Sequence, residues 1–324
     1  MSDHATTELA CRVRQGDRAA LAEALNLLDN RLPEQQHAAQ ELLHAVRAGG
    51  IPTDNHLVGI TGPPGVGKSS LTAALIRVWR ERGMTVSVLA VDPASPISGG
   101  ALLGDRLRMH PVAQDEGVFI RSLSSRGEFG GLSAEVWPMS QLLLAAYDVV
   151  LVETVGVGQR EIDVASLCDT TCFIAQPGSG DSVQLLKAGI LEVPHVLVVN
   201  KCDMGVVADR AVTELGSVLA KEHPEGNWLV PVLATSAILD QGIEALADAL
   251  ASHHASLLKR GVVEARRQEH QAHWIIRRLV NEFGSAGIER LGGEQALRES
   301  LSHRDSDPFT CYTEYRQRLG AAGR

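Results

Sequence analysis

The sequence predicts an α/β fold: a mainly parallel sheet covered by helices on both faces, with helical additions before and after it. Three observations carry this. Apolar, β-branched runs alternate with helical stretches between about residues 55 and 256; residues 1–50 and those after 257 show helical patterns instead; and a glycine-rich loop, "GPPGVGKSS" at 62–70, joins one such run to a helix. Strands buried on both faces read as continuous apolar runs, and parallel neighbours need a crossover, usually a helix. Ligands of such sheets gather at the carboxyl ends of the strands.

Taken in order, "DRAALAEALNLLDN" places Leu21, Leu25 and Leu28 on one stripe, and "PEQQHAAQELLHAVRAGG" has Pro33 near its start and Gly49 at its stop, so residues 1–50 read as an N-terminal helical extension. Strands are visible in "HLVGIT", "TVSVLAVD", "GVFIRS", "DVVLVETVG", "TTCFIAQPG", "HVLVVNK" and "WLVPVLATSA", which places an α/β domain over 51–256. The helix "SSLTAALIRVWRERG" carries Leu71, Leu75 and Val78 on one face and ends at Gly83. From 257 to 324, "VVEARRQEHQAHWIIRRLVNEFG" reads as one long helix with Ile275, Ile276, Leu279 and Phe283 on its apolar side, followed by "GGEQALRES" and a polar tail. This C-terminal arm either packs on its own chain or exchanges contacts in a homodimer. The dimer is the expectation, because the helix extends past a domain that already looks complete.

Composition narrows the function. The 324 residues are 44% apolar, as in globular proteins, and a net charge of −9 argues against a general nucleic-acid binder. No apolar run approaches the roughly 20 residues that span a bilayer, and the polar start lacks the apolar core of a secretion signal, so a cytoplasmic protein without membrane contact is expected. The five cysteines are scattered and odd in number, which favours free thiols; Cys168 and Cys172 run into an apolar strand and read as core. Among twelve histidines, the neighbours His253 and His254, and the pair His270 and His273, read as solvated faces.

The loop Gly62-Pro63-Pro64-Gly65-Val66-Gly67-Lys68-Ser69-Ser70 has the spacing of a phosphate cradle. Its glycines admit backbone amides to phosphate oxygens, and the following helix N-terminus adds a positive field. Lys68 brings a point charge to the terminal phosphates and Ser69 a hydroxyl to Mg²⁺. Farther on, "HVLVVNKCD" ends in Asn200, Lys201 and Asp203. A carboxylate at Asp203 accepts from the N1 and N2 donors of guanine but would face a lone pair on adenine N1, so GTP is expected over ATP. Lys201 can lay its stem over the base, Asn200 can tie this segment to the phosphate loop, and amides at Ser236, Ala237 and Ile238 can meet the guanine oxygen.

"DVVLVETVGVGQ" carries Glu153, where phosphate-loop proteins place the carboxylate that supports Mg²⁺, with Gly156 three residues on, free to offer its amide to the γ-phosphate. Asp92 and Asp105 suit Mg²⁺ ligation or orientation of the attacking water; a strand-ending turn and a helix cap are their plainer readings. "QPGSGDSVQLLKAGI" offers Asp181 and Lys187 as a third switch or as a capped surface helix. Arg121, Arg126 and Glu128 lie in another glycine-rich stretch, which offers either an internal catalytic arginine or residues facing solvent or a partner.

Taken together, "DPASPISGGALLGDRLRM", Glu153-Thr154-Val155-Gly156-Val157-Gly158-Gln159, "PGSGDSVQLLKAGI" and "NKCD" closely resemble the MeaB/ArgK family of G proteins associated with methylmalonyl-CoA mutase, along nearly the whole chain. The pair Ser69-Ser70, where Ser-Thr is commoner, is the one departure, and Ser69 keeps the hydroxyl. The resemblance implies a homodimeric GTPase that uses GTP to gate delivery of adenosylcobalamin to an acyl-CoA mutase, and to protect or reactivate that enzyme. It also implies that Ser69, Asp92, Asp105 and Glu153 surround Mg²⁺; the chemistry of the residues themselves gives Lys68, Asp92 and Glu153 as the expected catalytic set. Asp181 and Lys187 would then relay the γ-phosphate state, and Gln159 belongs to the same switch. Rival readings are a metal-delivery G protein, a nucleotide-gated scaffold, and an ATPase or kinase linked to basic amino-acid transport.

Overall fold

A computed structural model describes residues 3–30, 32–92, 112–124, 133–154, 160–178, 194–219, 228–302 and 307–321. In chain order the helices are α1 (Asp3–Arg14), α2 (Arg18–Asp29), α3 (Pro33–Ala48), α4 (Lys68–Glu81), α5 (Val136–Leu144), α6 (Arg160–Ala165), α7 (Val206–Leu219), α8 (Ile243–Arg260), α9 (Val263–Arg290), α10 (Glu294–Ser302) and α11 (Pro308–Ala321). The strands are β1 (His56–Thr61), β2 (Val86–Asp92), β3 (Val118–Ser124), β4 (Val149–Thr154), β5 (Thr170–Ala175), β6 (Val196–Val199) and β7 (Val232–Ala234). The chain divides into two compact units, one of residues 52–133 and 146–261, the other of residues 1–51, 134–145 and 262–324. Residues 134–145, which lie inside the 51–256 stretch expected for the α/β domain, thus group with the terminal helices.

In the first unit the seven strands line up as β3-β2-β4-β1-β5-β6-β7, and every pairing is parallel. β1, β4, β5 and β6 are buried along their whole length, as their continuous Val, Leu and Ile content requires. α4 and α8 cover one face through Leu71, Leu75, Ile76, Leu246 and Leu250. On β1, Gly59 leaves room for a close neighbour: a Cβ there would sit 2.2 Å from Val164 of α6. Cys168 and Cys172 are buried free thiols, and burial alone pushes the Cys172 thiol up to about 12.

The histidines correct one expectation. His253 and His254 are 2% and 6% exposed, and His270 is 6% exposed. His253 stacks on His195 and His254 on His56, with ring centroids 4.1 and 4.3 Å apart. Thr170 Oγ1 lies 2.6 Å from His56 Nε2 and 2.8 Å from His253 Nδ1. His56 and His253 thus share the Thr170 hydroxyl, and His254 Nε2 lies 3.1 Å from the Thr53 carbonyl, while stacking covers the ring faces.

The second unit is helical. Asp17 caps α2, accepting from the amides of Ala19 and Ala20 at 2.9 and 3.1 Å. α3 begins at Pro33. Trp137 of α5 stacks on Trp274 of α9 at 4.8 Å, and the Trp274 indole donates to the Ala134 carbonyl at 2.7 Å. Arg47 lies 5.5 Å over the Trp137 ring, and Arg278 lies 4.5 Å over the Tyr312 ring. The long helix α9 breaks its dihedral pattern at Gly284 (φ 68°). Its Ile275, Ile276 and Leu279 are buried, as the apolar side read from the sequence requires.

Candidate functional site

The carboxyl end of β1 runs into the glycine-rich loop, and the loop into α4. Gly62 has φ 143°, and a Cβ there would sit 2.1 Å from the Ile174 carbonyl of β5. Gly67 has φ 95° at the N-terminus of α4, and a Cβ there would come within 2.5 Å of Asn200 Nδ2. At both positions a side chain would be strained and would collide, so the loop can wrap this tightly only as glycine. Lys68, 8% exposed, donates from Nζ to the carbonyls of Gly62 and Pro63 at 2.7 and 2.9 Å, which holds its charge inside the loop.

Ser69, in the first turn of α4, donates from Oγ to Glu153 Oε1 at 2.7 Å; both residues are buried, at 3% and 2% exposure. The parallel register that pairs Ile60 with Glu153 sets this carboxylate beside the end of β1. A hydroxyl and a carboxylate packed together form the hard-oxygen pair that a divalent cation such as Mg²⁺ takes.

The base end is assembled from three strand ends. Beyond β6, Asn200 Nδ2 donates to the Val66 carbonyl of the phosphate loop at 2.8 Å, while Asn200 Oδ1 accepts from Thr235 Oγ1 at 3.2 Å and the Ala237 amide at 3.3 Å. Lys201 adopts the left-handed conformation (φ 63°), and its Nζ donates to the Gly65 carbonyl at 2.8 Å and Gln176 Oε1 at 2.9 Å. Asp203 Oδ1 accepts from Ser236 Oγ at 2.6 Å. Ser236 and Gln241 exchange both backbone hydrogen bonds, at 3.0 and 3.1 Å, and close the 236–241 turn. The Ser236 and Ala237 amides thus already donate within the protein, and Ile238 is 82% exposed.

Gly65, Val66, Gly67, Lys68, Ser69, Glu153, Asn200, Lys201, Asp203, Ser236 and Ala237 are therefore joined, directly or through one residue, in one hydrogen-bonded region. Pro63, Pro64 and Ser70 lie along the same loop and turn. Asp92 ends β2 opposite Ser124, its side chain lying outside the described part, and Arg121 sits within β3. Asp105, Arg126, Glu128, Gly156, Gln159, Asp181 and Lys187 lie outside the described residues. Sequence reasoning missed Gln176, Thr235, Gln241 and the ion pair between Arg77 of α4 and Asp240. The adjacency of Gln176 to the end of β5 was the one signal available for it. Burial and the neighbouring Asp203 together raise the Cys202 thiol.

The family described as methylmalonyl-CoA mutase-associated GTPase MeaB matches residues 21–288. A putative GTPase of Pyrococcus abyssi is 39% identical over 311 residues, covering 94% of this chain and 93% of its own. The mitochondrial methylmalonic aciduria type A homolog of Caenorhabditis briggsae is 32% identical over 294 residues, covering 87% of this chain and 71% of its own. Among solved structures, one described as a LAO/AO transport system kinase superimposes with a TM-score of 0.70 at 26% identity, covering 98% of this chain and 99% of that one.

Proposed function

Because this chain belongs to the MeaB family of methylmalonyl-CoA mutase-associated GTPases, we propose that its GTP cycle gates adenosylcobalamin delivery to an acyl-CoA mutase, and the protection or reactivation of that enzyme. The chain is a GTPase with the phosphate-loop fold. The observation that carries the reading is the direct hydrogen bonding of the base segment to the phosphate loop, Asn200 to Val66 and Lys201 to Gly65. Base and phosphates are thereby read by one connected element, so loss of the γ-phosphate is felt across the site.

Lys68, at the loop, neutralises charge that grows on the β- and γ-phosphate oxygens as the terminal bond breaks. Ser69 and Glu153, joined by Asp92 and Asp105 on the strength of the family resemblance, would hold Mg²⁺. A cation held there would supply positive charge against the phosphates. Asp203, steadied by Ser236, selects guanine, since an acceptor that the bound base covers and leaves facing adenine N1 costs about 1 to 3 kcal/mol. Asp92 orients the attacking water, and Gly156, Gln159, Asp181 and Lys187 respond to the γ-phosphate and present that state to the mutase. The helical arm mediates homodimerisation, and the protein acts in the cytoplasm; among the described residues no helix is long and apolar enough to cross a membrane.

Co-precipitation with the host's cobalamin-dependent acyl-CoA mutase, compared between a non-hydrolysable GTP analogue and GDP, tests the proposal. Nucleotide-dependent capture is expected; indifference to both nucleotides and partner would remove it. The similar solved structure described as a LAO/AO transport system kinase supports a second reading, a kinase or ATPase linked to transport. Equal binding of ATP and GTP would favour it.

A further inference from the structure

We propose that Gln176 is a positioning residue for purine recognition, acting through Lys201. Gln176 directly follows β5, whose Ala175 pairs with Val199 of β6, so the parallel register carries Gln176 alongside the Asn200–Lys201 step. The same alignment lets the Asn200 amide donate to the Ala175 carbonyl at 2.9 Å. Lys201 holds a left-handed backbone that side-chain-bearing residues adopt at a cost, and such a conformation persists when its surroundings fix it. Two acceptors do so at the far end of the side chain: the Gly65 carbonyl at 2.8 Å and Gln176 Oε1 at 2.9 Å.

The chemistry explains the residue type. An ammonium has three donors and no lone pair, so the glutamine must turn its oxygen toward Lys201. The amide accepts as a carboxylate would, yet adds no negative charge beside a substrate that carries several. With its backbone fixed at the end of β6 and its ammonium tied to the phosphate loop and β5, the lysine stem becomes a rigid bar on which a purine face can rest. Free to rotate, the same stem would have to be ordered each time nucleotide bound, and that ordering would weaken binding.

Stacking against the stem does not distinguish one purine from another, whereas Asp203 reads the N1 and N2 donors. Gln176 should therefore set affinity without setting guanine preference. The inference rests on the guanine-nucleotide site described above, and the wild-type protein tests that site independently: if it fails to prefer GTP over ATP, the site reading is at fault rather than Gln176.

The experiment measures GTP and ITP hydrolysis by wild type, Gln176→Met, Lys201→Ala and the double variant, with a melting curve of each free of nucleotide. Methionine keeps the volume and removes the acceptor. Gln176→Met is expected to raise KM for GTP about five- to tenfold, the worth of a hydrogen bond to a charged group at a half-exposed site, with kcat within twofold. The GTP-to-ITP preference and the melting temperature should not change, and the substitution should add nothing in the Lys201→Ala background. An unchanged KM, the same factor on top of Lys201→Ala, a shifted GTP-to-ITP ratio, or a fall in melting temperature that accounts for the KM change would each overturn it.

Discussion

The phosphate end and the base end of the site are built by opposite means. At the phosphate end, main chain does most of the work: glycines press the loop against Ile174 and Asn200, and Lys68 is held by carbonyls of its own loop. At the base end, side chains from separate segments hold one another: Asn200 with Thr235, Lys201 with Gln176, and Asp203 with Ser236. A main-chain site fails as a whole when one position is wrong; a side-chain network loses affinity or selectivity in portions. The contrast predicts a graded series of defects.

The largest effect should come from Lys68→Ala, which removes the one charged side chain seated in the phosphate loop. GTP hydrolysis is expected to fall about 10²- to 10³-fold in a single-turnover assay, and a wild-type rate would break the phosphate-end assignment. Gly67→Ala comes next and touches both ends, because its Cβ would displace Asn200 as well as strain the loop. GDP affinity measured by titration calorimetry should drop by about two powers of ten, equivalent to roughly 2.7 kcal/mol. If affinity survives, the loop is less tightly wrapped than its dihedrals require.

Asp203→Asn should act on selectivity alone. Competition between ATP and GTP would lose about tenfold to hundredfold of its bias, roughly 1.4 to 2.8 kcal/mol, while hydrolysis at saturating GTP stays near the parent rate. A proportional loss for both nucleotides would show that the two ends are not separable. The smallest effect is reserved for Ser236→Ala, which leaves Asp203 in place without its 2.6 Å donor. Its KM for GTP should rise about threefold, in keeping with a single partly exposed hydrogen bond; a larger defect would make the 236–241 turn itself the determinant.

The same contrast governs what could be read from the chain in advance. Glycine spacing, Lys68 and Ser69 lie consecutively, and a strand before and a helix after them are local patterns; the alternation that places β1 amid parallel neighbours is equally local. Asn200 and Asp203 were legible because hydrogen-bond chemistry assigns them to guanine. Gln176 was not, since its role depends on the register of β5 against β6, which no neighbouring residue encodes. His253 and His254 misled for a related reason. Polar rings on a helix read as solvated until the threonine and the opposite imidazoles that receive them are known. Likewise, nothing in "VWPMSQLLL" announces that this helix groups with elements more than a hundred residues away.

That last helix limits how the protein can be taken apart. α5 lies in sequence between β3 and β4 yet groups with the terminal helices, and its Trp137, Met139, Leu142 and Leu143 are buried. Trimming the chain at residue 51 or 262 would therefore not liberate a clean catalytic core. It would strand a greasy nine-residue segment in the middle of the remaining polypeptide, a recipe for insolubility. Any minimal version must either keep both ends or redesign that interior insertion.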